Sequence, residues 1–293
     1  MTQIVCLLST PGRALDPMLP RELSRLLGAP PRWLAEAEAC ELVLDGGLPA
    51  ETRSEVRRLV DDHPVDLCVI PATDRAKRLL VSDMDSTVIT VECIDELADL
   101  LGIKAEVAAI TRRAMNGELD FEAALAARVA LLAGLPESVL EEVHRERVRL
   151  MPGACTLVRT MRARGALTAL VSGGFAPLVD RVAREVGFDV AQGNRLELSG
   201  GRLTGRVLEP VRGAQDKLAL LERLRGDRGL RREQTLAVGD GANDLPMLGA
   251  AGLGVAFHPH PAVAKAARVV VRHGDLTALL YLQGIARAEF VDD

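Results

Sequence analysis

Residues 79–87, LLVSDMDST, constrain the fold more than any other stretch of the chain. An apolar run ends in two acids one residue apart, followed by two hydroxyls. Leu79, Leu80 and Val81 read as a strand buried on both faces, as in a parallel sheet. In extended chain, residues i and i+2 point the same way, so Asp83 and Asp85 leave the strand on one side. Open α/β sheets hold their ligands outside the carboxyl ends of strands, where these carboxylates fall. Like charges that close stay ionised only beside a cation. The plain alternative is a solvated strand-to-turn junction, since Asp and Ser are common turn residues.

The remaining pattern supplies a sheet for that strand. After residue 152, helical and apolar segments alternate: helix 154–164, strand 167–171, helix 175–186, helix 214–224, strand 235–238, helix 243–250, strand 254–257, strand 268–271 and helix 276–282. This rhythm predicts an α/β fold with a doubly wound parallel sheet. Residues 195–207 (RLELSGGRLTGRV) break it and read as a projecting β-hairpin. Residues 92–101, 106–115, 121–133 and 136–149 show only helical spacing, which predicts a helical cap, residues 92–150, inserted into a core of residues 77–91 and 151–293. Before the core, strands 3–8, 40–44 and 65–70 and helices 20–27 and 50–62 predict a small α+β domain over residues 1–76, with 72–77 as a polar linker. Its order, with Pro11-Gly12 after the first strand, resembles an ACT-type regulatory module.

Composition excludes several classes. With aromatics at 2% and a net charge of −5, the chain of 293 residues lacks base-stacking platforms and a phosphate-tracking surface, so no nucleic-acid partner is expected. Cys6, Cys40, Cys68, Cys93 and Cys155 are scattered without a C-x-x-C pair, which fits reduced thiols. No stretch is long and apolar enough to cross a membrane. The opening MTQIVCLLSTPGR has no basic n-region and too short an apolar run for a signal peptide, so a cytoplasmic location is expected. The oligomeric state is left open, a homodimer being one option.

Other strand ends carry polar signals. Ser172-Gly173-Gly174 before a helix offers a hydroxyl, permissive backbone and a helix N-terminus, which together suit an anion; an ordinary N-cap is the alternative. Gly239-Asp240-Gly241-Ala242-Asn243-Asp244 supplies hard oxygen ligands suited to Mg²⁺, or else a turn in which Asn243 or Asp244 caps a helix. Lys217, near a helix start, is a point charge for phosphate, although a lone helical lysine is usually solvated. His258-Pro259-His260 lacks a third N or S ligand and reads as a loop. What decides is convergence: an acid pair, a phosphate cradle, a lysine and a metal-binding acid stand in an order that a parallel sheet brings together.

DMDST, SGG, Lys217 and GDGANDLPML resemble the four motifs of the haloacid dehalogenase-like phosphotransferases, and the helical insert resembles that superfamily's helical cap. VSDMDSTVITVECIDELA and FEAALAARVALLAG are similar to its phosphoserine phosphatase family, over roughly residues 77–285. The resemblance implies that Asp83 attacks phosphorus and that Asp85 serves as general acid and then base. It implies Mg²⁺ held by Asp83, the Asp85 carbonyl and Asp240, with Asp244 in support. Ser172, the Gly173 amide, Lys217 and Asn243 would hold the phosphoryl group. Glu92 would accept the substrate ammonium and Arg128 its carboxylate, with Met115 and Phe121 as apolar walls. For Arg128 a surface ion pair, and for Met115 and Phe121 plain packing, are the competing readings. The implied reaction is hydrolysis of phosphoserine to serine. Rival readings are a phosphatase for another small phosphate and a metabolite sensor with an idle site.

Overall fold

In the computed structural model, which describes residues 1–115 and 118–292, the chain builds two sheets. The first holds β1 (Gln3–Ser9), β2 (Pro31–Ala35), β3 (Ala39–Leu44) and β4 (Val65–Pro71), all antiparallel, in the order β2-β3-β1-β4. With α1 (Met18–Leu27) and α2 (Arg53–Asp61) this is a split βαβ, ferredoxin-like arrangement. The pattern predicts three of its four strands. β2 escapes because it is five residues long, opens on proline and exposes Trp33, so it shows no alternation.

The second sheet holds β5 (Leu79–Ser82), β6 (Leu167–Phe175), β7 (Val190–Ser199), β8 (Arg202–Leu208), β9 (Thr235–Gly239), β10 (Leu253–Phe257) and β11 (Val269–Val271). Their order is β11-β10-β9-β5-β6-β7-β8, and every pairing is parallel except β7 with β8. β5 is therefore central, and its period of two feeds both faces. Leu80 packs with Leu170, Leu236 and Val238 under α7 (Ala154–Ala163), α8 (Ala176–Val186) and α12 (Ala278–Leu282). Leu79 and Val81 pack with Ala169, Val171 and Ala237 under α9 (Ala214–Asp227) and α10 (Leu245–Ala250). Burying each such side chain contributes about 1.5–3 kcal/mol, so the acids that follow hang from the most firmly held strand.

Between β5 and α7 lie α3 (Cys93–Leu100), α4 (Lys104–Met115), α5 (Phe121–Ala130) and α6 (Ser138–Glu146), with no strand among the described residues. The hairpin grows from the core: Val190–Gln192 still pair with β6, before β7 leaves to meet β8. The polar AQGN stretch hides that first half from a sequence reading. The hairpin then braces the helices, since Gly134 N donates to Leu203 O at 2.8 Å and Leu203 N to Leu135 O at 2.8 Å. The short α11 (Pro261–Ala266), between β10 and β11, is too brief for its periodicity to register in the sequence.

The predicted linker is a docked strap. Glu41, 0% exposed on β3, lies 2.7 Å from Arg75 Nη2 and also pairs with Arg32. Arg75 donates further to the carbonyls of Tyr281 and Leu282, and Lys77 Nζ to that of Glu233. One face of the first sheet (Ile4, Cys6, Leu8, Ile70) shares a core with α12, while Val5 and Leu7 on the other face pack under α1 and α2. Among the described residues none of the five cysteines forms a disulfide.

Candidate active site

Beyond β5 the chain stays in register for one residue, Asp83 N donating to Val238 O at 3.0 Å. The Asp83 carboxylate is thereby fixed at the sheet's carboxyl edge. Its Oδ1 accepts from Met84 N at 2.8 Å and lies 2.7 Å from Lys217 Nζ. Lys217, from the first turn of α9, is 1% exposed and sits 2.7 Å from Asp244 Oδ1 as well. The solvated-lysine alternative fails at this position. Burial works to lower the Lys217 pKa, but Asp83 and Asp244 outweigh it and hold the ammonium above its ordinary value.

One lysine faces three acids. Asp83, Asp240 and Asp244 each bring a carboxylate oxygen within 4.8 Å of the others, all three buried. Burial, then repulsion from Asp83, pushes Asp240 up to about 6 and Asp244 up to about 7, with Lys217 opposing. Asp244 is committed on both sides, Oδ1 to Lys217 and Oδ2 to Gly241 N at 3.0 Å. Asp83 and Asp240 thus remain to offer oxygens outward, and an under-neutralised, all-oxygen set of this kind fits a hard divalent cation. Gly239 makes the arrangement sterically possible: a Cβ there would stand 2.3 Å from Asp244 Cγ.

Asp85 is held by a separate network. Oδ1 accepts from Cys93 N at 2.8 Å, at the start of α3, and Oδ2 from Ser172 Oγ at 2.8 Å. Burial raises its pKa, against the Cys93 bond and with help from the Asp83 charge. Ser172 Oγ also accepts from Gly174 N at 2.8 Å. Ser172-Gly173-Gly174 is the irregular end of β6, not a loop, because its register against β7 shifts between Val171 and Phe175. Asn194 sets that end in place. It is 1% exposed, donates to Gly173 O at 2.8 Å and Arg212 O at 3.0 Å, and accepts from Arg212 N at 2.7 Å. Phe121 packs on the glycines so tethered: a Cβ on Gly173 or Gly213 would come within 3.2 Å of its ring.

The insert closes the site. A cavity of about 610 Å³ brings Asp83, Asp85, Lys217 and Asp240 together with Glu92 and Arg128. Ser172, Gly173, Asn243 and Phe121 line it too. Of the residues singled out in the sequence, only Met115 is left unplaced, its side chain lying outside the described residues. Glu92 Oε1 accepts from Ser86 Oγ at 2.6 Å, and burial, then the Asp85 charge, pushes Glu92 up to about 7. Arg128 is lowered by burial against the attraction of Asp95 and Glu92. Asp95, Thr111 and His260 also face the cavity. Sequence reasoning missed Asp95, Thr111 and Asn194, and read His260 only as part of a loop. Asp95 follows Glu92 at helical spacing, which could have marked it, whereas nothing local distinguishes Asn194.

A parallel sheet with paired acids on its central strand, a buried lysine and a further acid on the neighbouring strand end defines a phosphotransferase-type site, and the comparisons agree. The chain belongs to the haloacid dehalogenase-like hydrolase family, whose model matches residues 80–249. It is 50% identical over 227 residues to a phosphoserine phosphatase of Streptomyces coelicolor, covering 77% of this chain and 55% of that one. A crystal structure described as a probable phosphoserine phosphatase from Vibrio cholerae, unliganded, is similar with a TM-score of 0.80 and 37% identity, over 98% of this chain and 88% of that one. A phospho-aspartyl intermediate analogue of a phosphoserine phosphatase matches with a TM-score of 0.64 and 38% identity, over 70% of this chain and 98% of that one. The chain spans about half the length of the first curated relatives it matches, 55% and 52%. No helix among the described residues is long and apolar enough to cross a membrane.

Proposed function

We propose that this chain is a cytoplasmic, Mg²⁺-dependent phosphatase that hydrolyses O-phospho-L-serine to serine and phosphate, the last step of serine biosynthesis. The observation that carries this reading is the shared cavity of Asp83, Lys217, Glu92 and Arg128. It pairs a nucleophile beside a phosphate-neutralising lysine with an acid and a guanidinium suited to a zwitterionic head group.

In this reading Asp83 Oδ2, which accepts no hydrogen bond among the described residues, attacks phosphorus while Lys217 steadies Oδ1. Ser172, the Gly173 amide, Lys217 and Asn243 hold the phosphoryl oxygens. Asp85, whose raised pKa suits a proton donor, protonates the departing serine oxygen; as carboxylate it then takes a proton from the water that hydrolyses the aspartyl-phosphate. Mg²⁺ would be held by Asp83, the Asp85 carbonyl and Asp240, with Asp244 bracing from behind; when bound it offsets repulsion between carboxylate and phosphate. Glu92 takes the ammonium, Arg128 the carboxylate, and Phe121 walls the side.

The test is steady-state phosphate release with Mg²⁺ from phosphoserine, phosphothreonine, phosphohomoserine and glycerol phosphate, with Asp83→Asn as blank. Preference for phosphoserine that collapses in Glu92→Gln and Arg128→Met is expected. Equal turnover of all four would retain the core chemistry and remove the roles given to Glu92 and Arg128.

A further inference from the structure

A second cavity, of about 680 Å³, opens where the two sheets meet edge to edge. β4 is the edge strand of the first sheet and β11 of the second. Arg57 of α2 lines one wall, and Lys265, Arg268 and Arg272, on and after α11, line the other. All four are exposed, and among the described residues none of their side chains forms an ion pair or hydrogen bond. Elsewhere arginines such as Arg32, Arg75 and Arg162 are paired. The chain as a whole is acidic, at −5, so this groove holds a local charge of the opposite sign.

The groove's acids do not cancel that charge. Asp66, 3% exposed, is spent on the backbone: Oδ1 accepts from Arg272 N at 2.7 Å, and Oδ2 from His273 N at 3.0 Å and Gly274 N at 2.8 Å. This bond set pins the basic rim of the second sheet to β4, so the wall is preformed. Asp61, exposed on α2, is one carboxylate against four cations. Unpaired like charges in one cleft repel each other and concentrate anions from solution.

We propose that this seam groove is a binding site for a small phosphate-bearing polyanion, separate from the active site. Its occupant would be felt in catalysis through α11. That helix of six residues carries Lys265 near one end, in the groove; His260, its N-cap, faces the active-site cavity at the other.

The test uses pyrophosphate as probe on metal-free protein, so that no hydrolysis intervenes and the result does not depend on the proposed reaction. Lys77, Lys104, Lys217 and Lys265 are the chain's lysines, which makes acetylation footprinting readable by mass spectrometry. Pyrophosphate should slow acetylation of Lys265 and leave Lys104, exposed on α4, unchanged. Calorimetric affinity should fall about tenfold or more in Arg268→Ser/Arg272→Ser, as expected for losing charge-assisted contacts, and a component should persist in Lys217→Met. Equal acetylation of Lys265 with and without millimolar pyrophosphate overturns the proposal. So does binding lost only in Lys217→Met, which would place the anion in the active site. The footprint is read on the unaltered chain, so it decides the question even where the double variant fails to fold.

Discussion

Lys217→Met tests the electrostatic account of the site. The substitution keeps the side chain's length and removes one charge from between Asp83 and Asp244, 2.7 Å from each. All three groups are nearly inaccessible to solvent, so neither carboxylate can recruit water in exchange. Removing one partner of a buried ion pair typically costs about 3–5 kcal/mol, because the other charge is stranded. Here two are stranded, and they relieve themselves by binding protons. Burial, then the Asp83 charge, already pushes Asp244 up to about 7 against the pull of Lys217, and it rises further once the lysine is gone. An acid whose folded pKa exceeds its unfolded one adds stability below the unfolded value and loses it as pH climbs through the folded value. The metal-free variant should therefore be destabilised by about 4 kcal/mol at pH 8 and by clearly less at pH 5.5, where Asp244 is neutral. Thermal unfolding of wild type and variant at both pH values, with metal removed, measures this; a loss near 4 kcal/mol lowers Tm by roughly 8 °C in a chain of this size. Equal losses at the two pH values, or none at pH 8, would refute the claim that Lys217 neutralises buried carboxylates.

Three further perturbations follow from the same geometry. In the proposed reading Glu92 must be ionised to accept an ammonium, and burial pushes it up to about 7, so KM for phosphoserine should fall as pH rises from 6 to 8; in Glu92→Gln the KM should be raised about tenfold or more and lose that pH dependence, read from initial rates. Gly239→Ala would drive a Cβ to 2.3 Å from Asp244 Cγ, so it should abolish activity and cost about 3 kcal/mol, seen as a fallen unfolding midpoint, whereas Gly249→Ala, with open space around it, should be silent. Arg75→Met leaves Glu41 buried with Arg32 as its remaining partner; about 3 kcal/mol of stability should go, and limited proteolysis should cut first around residues 72–77.

The parts of the site legible in the sequence are those where one strand does two jobs. Leu79–Ser82 announces both a doubly buried strand and, by where it stops, the place of its acids. Glycine-rich strand ends are equally readable, because backbone that must pass close to a carboxylate excludes a Cβ. Lys217 is not legible alone, since a lysine's meaning depends on burial, and burial depends on α9 meeting α10 over β5. Asn194 is further from reach, as it acts on Gly173 and Arg212, both distant in sequence. β2 and the docked strap around Arg75 escape for a related reason: their order comes from Glu41 and α12, not from any local period.

The strap and the seam bear on how the two sheets cooperate. A flexible tether would let the first sheet move independently, and nothing bound near it would reach Asp83. Instead Arg75 ties β3 to the carbonyls of α12, and Asp66 ties β4 to the turn after β11, so both edges of the contact are hydrogen-bonded to backbone. Backbone ties of this kind transmit displacement, because their backbone partners cannot rotate away as side chains can. β11 is aligned with β10, Phe257 opposite Val271, and His258 N donates to Val271 O at 2.7 Å. Two residues later the chain reaches His260 and the active-site wall. The first sheet thus has a hydrogen-bonded route through β11 and β10 to the wall of the candidate active-site cavity. The central acids are held instead by β5, β6 and β9. Any regulation entering through the first sheet should then alter KM more than kcat, and an effector that lowered kcat alone would contradict this route.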